Sequence, residues 1–309
     1  MQNTRTILVA TDLSEFSGRA GTRAAMLCAS LNWNSVELLN VKEGGLPNAL
    51  GLVLKKTPAV AKAALVERAV RELRHICSLL QDNYDVRCTS TVKFGRPEAE
   101  IVARADELAV GLTVIGAHGG NFFTDLFLGN TADKLARMSK TPLLLVKNQI
   151  TEPYRRVLVP VDFSENSRRA AQMALEIAPD AHITFLHVFD VVLEEEMHYL
   201  NAAHDTIHDY HVKAAEDARL DLNEFIVGLQ AGREADHRLG RHSLFRTVAF
   251  GHPGHVIYDQ AKSIKADLIV MGKHGRSRFE ELLLGSVSRH VIEQCFCDVL
   301  IVTGPVQPA

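Results

Sequence analysis

Very little in this sequence is in excess. Its 34 basic and 37 acidic residues leave a formal net charge of -3, so there is no electrostatic case for nucleic acid as a partner. No apolar run approaches the roughly 20 residues of a membrane-spanning helix. The opening Met1-Gln2-Asn3-Thr4-Arg5 also lacks the apolar stretch of a signal peptide. A cytoplasmic protein with no membrane partner is therefore expected. Cysteine is sparse and odd in number, five in all, which suits reduced thiols better than a disulfide framework. Cys28 and Cys77 fall on helical patterns. Cys295 and Cys297 form C-x-C without a second pair at zinc spacing, so they read as core or surface thiols. Histidine is nearly missing from the first half, which holds only His75 and His118 of the 14.

What is present in quantity is apolar residue, 47% of 309, enough to bury a core in each of two domains. The chain is internally duplicated. Ile7-Leu8-Val9-Ala10-Thr11-Asp12-Leu13-Ser14-Glu15 aligns with Val157-Leu158-Val159-Pro160-Val161-Asp162-Phe163-Ser164-Glu165, and Phe94-Gly95-Arg96-Pro97 with Phe250-Gly251-His252-Pro253. A glycine frame recurs with the same spacing: Gly116, Gly119 and Gly129, then Gly272, Gly275 and Gly285. Matching residues lie about half the chain apart, so the repeat unit is a whole domain. The domains are expected at residues 1–148 and 154–305, joined by a short polar stretch from Asn148 to Pro153.

Each half alternates short β-branched runs with amphipathic helical stretches. Strands are expected at Thr6–Thr11, Val36–Val41, Val86–Phe94, Leu112–Ile115 and Pro142–Val146, with helices starting near Ser14, Ala59, Pro97 and Gly129. The second half repeats the scheme at Val157–Val161, Ile183–Val188, Ser243–Phe250, Leu268–Met271 and Val299–Val302. Strands alternating with helices imply right-handed crossovers and an α/β fold. Each domain then has a five-stranded parallel sheet covered by helices on both faces. Ligands bind such sheets outside the C-terminal strand ends, where Asp12 and Asp162 and both glycine loops are expected.

A strand, a glycine-rich loop and a helix beginning at Ser286 form an arrangement in which backbone N–H groups can converge on phosphate. Gly272 and Gly275 would let backbone approach the ligand, with positive φ expected in the loop. Gly285, Ser286 and Val287 would begin the helix, and Arg276 and Ser277 add phosphate contacts. The plainer alternative is a turn residue at Asp162 and glycines that serve helix–sheet packing. The first half departs from this pattern: Asn130 stands where Ser286 does, Gly120-Asn121-Phe122-Phe123 replaces Arg276-Ser277-Arg278-Phe279, and Asp125 adds a carboxylate. A triphosphate is disfavoured there. His204, His208 and His211 fall at i, i+4 and i+7 of a helix expected from about Glu194. They read either as a zinc- or pH-sensitive cluster or as a solvated helix face. His182 and His187 read as packing or capping residues beside a strand.

The blocks Val159-Pro160-Val161-Asp162-Phe163-Ser164, Leu186-His187-Val188, Asp267-Leu268-Ile269-Val270-Met271-Gly272-Lys273-His274-Gly275-Arg276-Ser277 and Leu283-Leu284-Gly285-Ser286-Val287-Ser288 resemble the universal stress protein family, in its tandem two-domain form. The resemblance implies Rossmann-like domains of the adenine nucleotide alpha hydrolase-like type. It also implies pairing of domains through their last strands within the chain, with a homodimer as a further option, and ATP, with or without Mg2+, where the loop is intact. Pro160, Asp162 and Val188 take the family's nucleoside-facing positions, with Asp12, Val41, Gly116, Gly119, Gly129 and Asn130 as weaker counterparts in the first half. A cytoplasmic stress-response role also follows from the resemblance alone.

The expected function is that of a regulatory protein binding ATP chiefly in its second domain. No confident hydrolytic apparatus is legible, since His274 and Glu280, the candidates for activating water, read equally as solvent-facing loop residues. A slow ATPase remains the enzymatic alternative. A nucleotide-free interaction protein with a histidine-rich metal-binding helix is the other.

Overall fold

The computed structural model describes residues 5–55, 57–117, 129–149, 152–189, 204–231, 243–275 and 284–303. They form two compact units, the first ending at Pro153 and the second beginning at Tyr154.

In the first unit the strands are β1 (Thr6–Ala10), β2 (Ser35–Glu43), β3 (Arg87–Gly95), β4 (Leu112–Gly116) and β5 (Leu143–Val146). They form a parallel sheet in the order β3-β2-β1-β4-β5. The central β1 pairs with β2 on one side and β4 on the other, so strand order reverses at its C-terminal end, where Asp12 follows. The helices are α1 (Glu15–Ser30), α2 (Leu46–Val53), α3 (Pro58–Tyr84), α4 (Pro97–Glu107) and α5 (Asn130–Met138). Ile7, Leu8 and Val9 of β1 are fully buried, as is expected of a parallel strand covered on both faces. Ala20, Ala24 and Ala25 of α1 are also fully buried, their small side chains suited to close helix–sheet approach.

The second unit repeats the plan with β6 (Arg156–Val161), β7 (His182–Phe189), β8 (Ser243–Phe250), β9 (Leu268–Gly272) and β10 (Asp298–Val302), in the order β10-β9-β6-β7-β8. Its described helices are α6 (Glu165–Ile177), α7 (His204–Ala231), α8 (Pro253–Ser263) and α9 (Ser286–Gln294). Residues 190–203, which include the expected helix start at Glu194, lie outside the described residues.

Both units enter their first helix identically. Ser14 caps α1 by accepting from the N–H of Ser17, and Ser164 caps α6 by accepting from that of Ser167. Each cap serine also donates its hydroxyl to the preceding aspartate, Asp12 or Asp162, at 2.6 Å. The residue between adopts left-handed backbone, φ 69° at Leu13 and 63° at Phe163, a conformation costly for branched or bulky side chains. Packing offsets that cost at Phe163, whose ring lies 4.3 Å from His187 and edge-on to Phe225 at 5.9 Å.

The two cores diverge at one polar position. In the first unit Glu37 of β2 is 6% exposed and accepts from the Thr91 hydroxyl at 3.0 Å and from Arg104 of α4 at 2.7 Å. Strand register and the repeated proline place Thr184 and Gln260 at the matching sites of the second unit. There they line a groove of about 400 Å³ together with Thr247, Phe245 and Arg246.

Candidate functional site

In the first unit the strand ends open onto a crevice of about 360 Å³. Asp12, Val41, Gly116, Gly129 and Asn130 all line it, so five of the residues expected from the first half converge on one cavity. Gly119 lies outside the described residues, as does Asp125. The ionisable groups lining the crevice among the described residues are the carboxylates of Asp12 and Glu43, an electrostatic setting that disfavours a polyphosphate. The Asp12 carboxylate is anchored by both the N–H and the hydroxyl of Ser14.

In the second unit Pro160 and Val188 are half-buried near the ends of β6 and β7, and Asp162 is half-buried just beyond β6. Asp162 is held as its counterpart is, accepting from the N–H of Ser164 at 3.0 Å. The described ends of the loop after β9, Lys273–Gly275 and Leu284–Gly285, meet at this corner. Gly285 N–H donates to the carbonyl of Lys273, Ser288 hydroxyl to that of Gly272, and the Asn166 amide to that of His274. Gly285 is the N-cap of α9 and offers no side chain to cap it, so Ser286 and Val287 head the helix with leading N–H groups that no side chain caps. Arg276, Ser277 and Glu280 lie outside the described residues.

The glycines of the second loop are needed for different reasons. A Cβ on Gly272 would lie 2.8 Å from the Cβ of Asn166, so this glycine serves the packing of α6 against β9, the plainer reading of the motif. A Cβ on Gly275 would lie 2.7 Å from Asp162 Oδ2, and one on Gly285 would lie 3.3 Å from the Lys273 carbonyl. Close approach of backbone, not left-handed geometry, explains them. Among the described glycines the positive φ belongs to Gly251, at 132°, correcting the expectation of positive φ in the loop.

Lys273 stands in the motif but was given no role by the sequence. It is 6% exposed, and burial holds its ammonium below the ordinary lysine pKa. Ala117 occupies the matching place in the first unit, so the second has a cation inside its loop that the first lacks.

The zinc reading of the long helix finds no support among the described residues. His208 of α7 is exposed, whereas the His211 ring packs 5.0 Å from Phe250 of β8. The side chain of His204 lies outside the described residues. Among the described residues no group of three His, Cys, Asp or Glu side chains is arranged to hold a metal. His187 is a packing residue, as expected, with its Nδ1 2.7 Å from the carbonyl of Val161.

A different histidine group was missed. His252 and His255, at the start of α8, and His290 of α9 stack with ring centroids 5.0, 5.1 and 6.4 Å apart. The matching helix contact in the first unit is an ion pair, Lys134 Nζ to Glu98 at 3.0 Å. Gly254 replaces Glu98, and the His290 ring fills the space: a Cβ on Gly254 would lie 2.7 Å from its Cδ2 and 3.3 Å from its Cβ. The Gly254→Ala variant is thus expected to destabilise the second domain by about 1–3 kcal/mol, the cost of overpacking, despite alanine's better helix propensity. Faster hydrogen exchange confined to α8 and α9 would register this; unchanged exchange there would contradict it.

Comparison with known proteins agrees with this architecture. The model of the Universal stress protein family matches twice, at residues 3–147 and 153–303. A universal stress protein of Methanocaldococcus jannaschii is 29% identical over 160 residues, 49% of this chain and 84% of the relative. Universal stress protein A homolog 2 of Coxiella burnetii is 31% identical over 152 residues, 48% of this chain and 94% of the relative. Among solved structures, a universal stress protein from Archaeoglobus fulgidus superposes with a TM-score of 0.68 at 18% identity, covering 97% of this chain and 99% of that one, which speaks for the fold. Among the described residues no helix is long and apolar enough to cross a membrane.

Proposed function

The chain belongs to the universal stress protein family as a tandem of two such domains, and from that premise we propose that it is a regulatory protein that binds an adenine nucleotide, ATP, chiefly in its second domain. The observation that carries this reading is the contrast between the two strand-end corners. Both place an anchored aspartate beside a glycine loop and an uncapped helix start. Only the second adds a buried lysine within the loop and a serine at the first turn of the helix. Backbone N–H groups at a helix N-terminus and a cation from the loop are what a polyphosphate requires.

Within this reading Asp162 faces the ribose, Val188 offers backbone to the base, and the Gly275 and Gly285–Ser286 segment meets the phosphates, with Arg276 and Ser277 extending the contact. Mg2+, where present, would be held by the phosphate oxygens, its own waters and at most one or two carboxylates. The first-domain crevice, with carboxylates and no lysine matching Lys273, binds ATP far more weakly. Binding would be read out as a change in conformation or interaction.

Native mass spectrometry of the full chain with ATP tests this. One nucleotide per chain is the expected result at low micromolar ATP. Two equally tight sites, or none, would overturn the assignment to the second domain. Incubation followed by ADP measurement separates binding from slow turnover.

A further inference from the structure

We propose that Cys77 and Cys88 form a reversible redox pair, oxidised by peroxide to an intradomain disulfide that ties α3 to β3. Cys77 lies in the last third of α3 and Cys88 is the second residue of β3, an outer strand of the first unit's sheet. Both are free thiols with their sulfurs 2.7 Å apart. Two unbonded sulfurs do not rest comfortably at that separation, and a disulfide needs only a further approach to about 2.05 Å. Formation of the bond therefore requires the sulfurs to approach by well under an ångström.

The electrostatics suit the chemistry. The hydrogen bond from Cys88 holds the Cys77 thiol below its ordinary pKa, against the opposing effect of burial, while the same bond and burial push Cys88 up. Cys77 is thus the sulfur that ionises first, and thiolate is the form that reacts. Access also favours the pair. Cys77 and Cys88 are 7% and 9% exposed, whereas Cys28, Cys295 and Cys297 are 1%, 3% and 0% exposed. Burial raises Cys28 to about 11, and its thiol points at the Trp33 carbonyl at 3.3 Å, which makes it an internal control.

The Cys77 thiolate attacks one oxygen of hydrogen peroxide, breaking the O–O bond and releasing hydroxide, which is protonated to water, and leaves a sulfenic acid. The neighbouring Cys88 sulfur then attacks the Cys77 sulfur, breaks the S–O bond and expels a second water. Overall two thiols lose two protons and two electrons, and one peroxide becomes two waters. A dithiol reductant reverses the bond by exchange. The second unit has Leu244 at the place of Cys88, so the device belongs to the first domain alone.

The full-length protein is treated with a few equivalents of peroxide, denatured, alkylated and mapped by mass spectrometry. Three of the five cysteines should remain alkylatable, with a Cys77–Cys88 crosslinked peptide and a mass lower by about 2 Da that dithiothreitol restores. In Cys88→Ser the sulfenic acid on Cys77 has no resolving thiol and is captured by dimedone, whereas Cys77→Ser gives neither adduct nor crosslink. The wild-type map decides the matter even if a variant fails to fold. Five intact thiols after treatment, sulfinic or sulfonic acid on Cys77 beside a free Cys88, or a crosslink through Cys28 would each overturn the proposal.

Discussion

Replacing Gly275 by valine is expected to weaken ATP binding by about 100-fold or more, equivalent to about 2.7 kcal/mol, while leaving the fold of the second domain in place. The loop crosses the Asp162 carboxylate so closely that any Cβ would sit 2.7 Å from Oδ2. Valine must therefore lift the loop or turn the carboxylate aside. Either movement separates the proposed ribose contact from the proposed phosphate contacts, whose mutual placement is what affinity depends on. Gly275 is exposed and outside the regular elements, so the core has no reason to fail. Titration calorimetry with circular dichroism as the folding control measures both halves of the expectation. Undiminished affinity in a folded variant would remove Gly275 from the site. The parallel change Gly119→Val should alter total binding little, because Ala117 and Asn130 stand where Lys273 and Ser286 do.

The largest expected loss of stability follows from Arg104→Ala. Glu37 is almost wholly buried, and the guanidinium supplies two of its three polar contacts, the Thr91 hydroxyl being the third. Removing one partner of a buried pair leaves an uncompensated carboxylate, at a cost of about 3 kcal/mol. The second domain suggests the remedy, since it manages the same position with the neutral residues Thr184 and Gln260. A Glu37→Thr/Arg104→Gln double variant should recover most of that loss, because neither charge is then buried. Chemical denaturation monitored at Trp33, which lies in the first unit, distinguishes the cases. If the single variant were as stable as the double, Glu37 would not depend on its partner.

The strands were legible because parallel strands buried on both faces are dense in Val, Ile and Leu. Ser243–Phe250 is a strand with the expected bounds, and the others differ by a residue or two at their ends. The helix Leu46–Val53 escaped notice because it spans only eight residues, and Gly44, Gly45, Pro47 and Gly51 in and before it read as turn signals. The strained turns at Leu13 and Phe163 were invisible for a different reason: neither residue is of the kind that adopts left-handed backbone readily, and tertiary packing decides the matter.

Histidine gives the sharpest lesson. Spacing along one helix drew attention to His204, His208 and His211, yet the imidazoles that meet are on two helices far apart in sequence. A signal was available in the repeat itself, where Gly254 stands against Glu98 and His290 against Lys134, a paired change. The described glycines of the frame lie at the strand ends, where they were expected. The frame could not distinguish Gly272, fixed by Asn166, from Gly275, fixed by Asp162, since both demands produce the same letter.

The paired change also limits which helices the two domains could exchange. A glutamate side chain at the first turn of α8 and an imidazole at position 290 would compete for the same volume, because even a bare Cβ there comes within 2.7 Å of the ring. Glycine together with lysine carries no such conflict. The duplicated halves are no longer interchangeable at this joint, and a recombinant that took one helix from each would inherit either a clash or a gap.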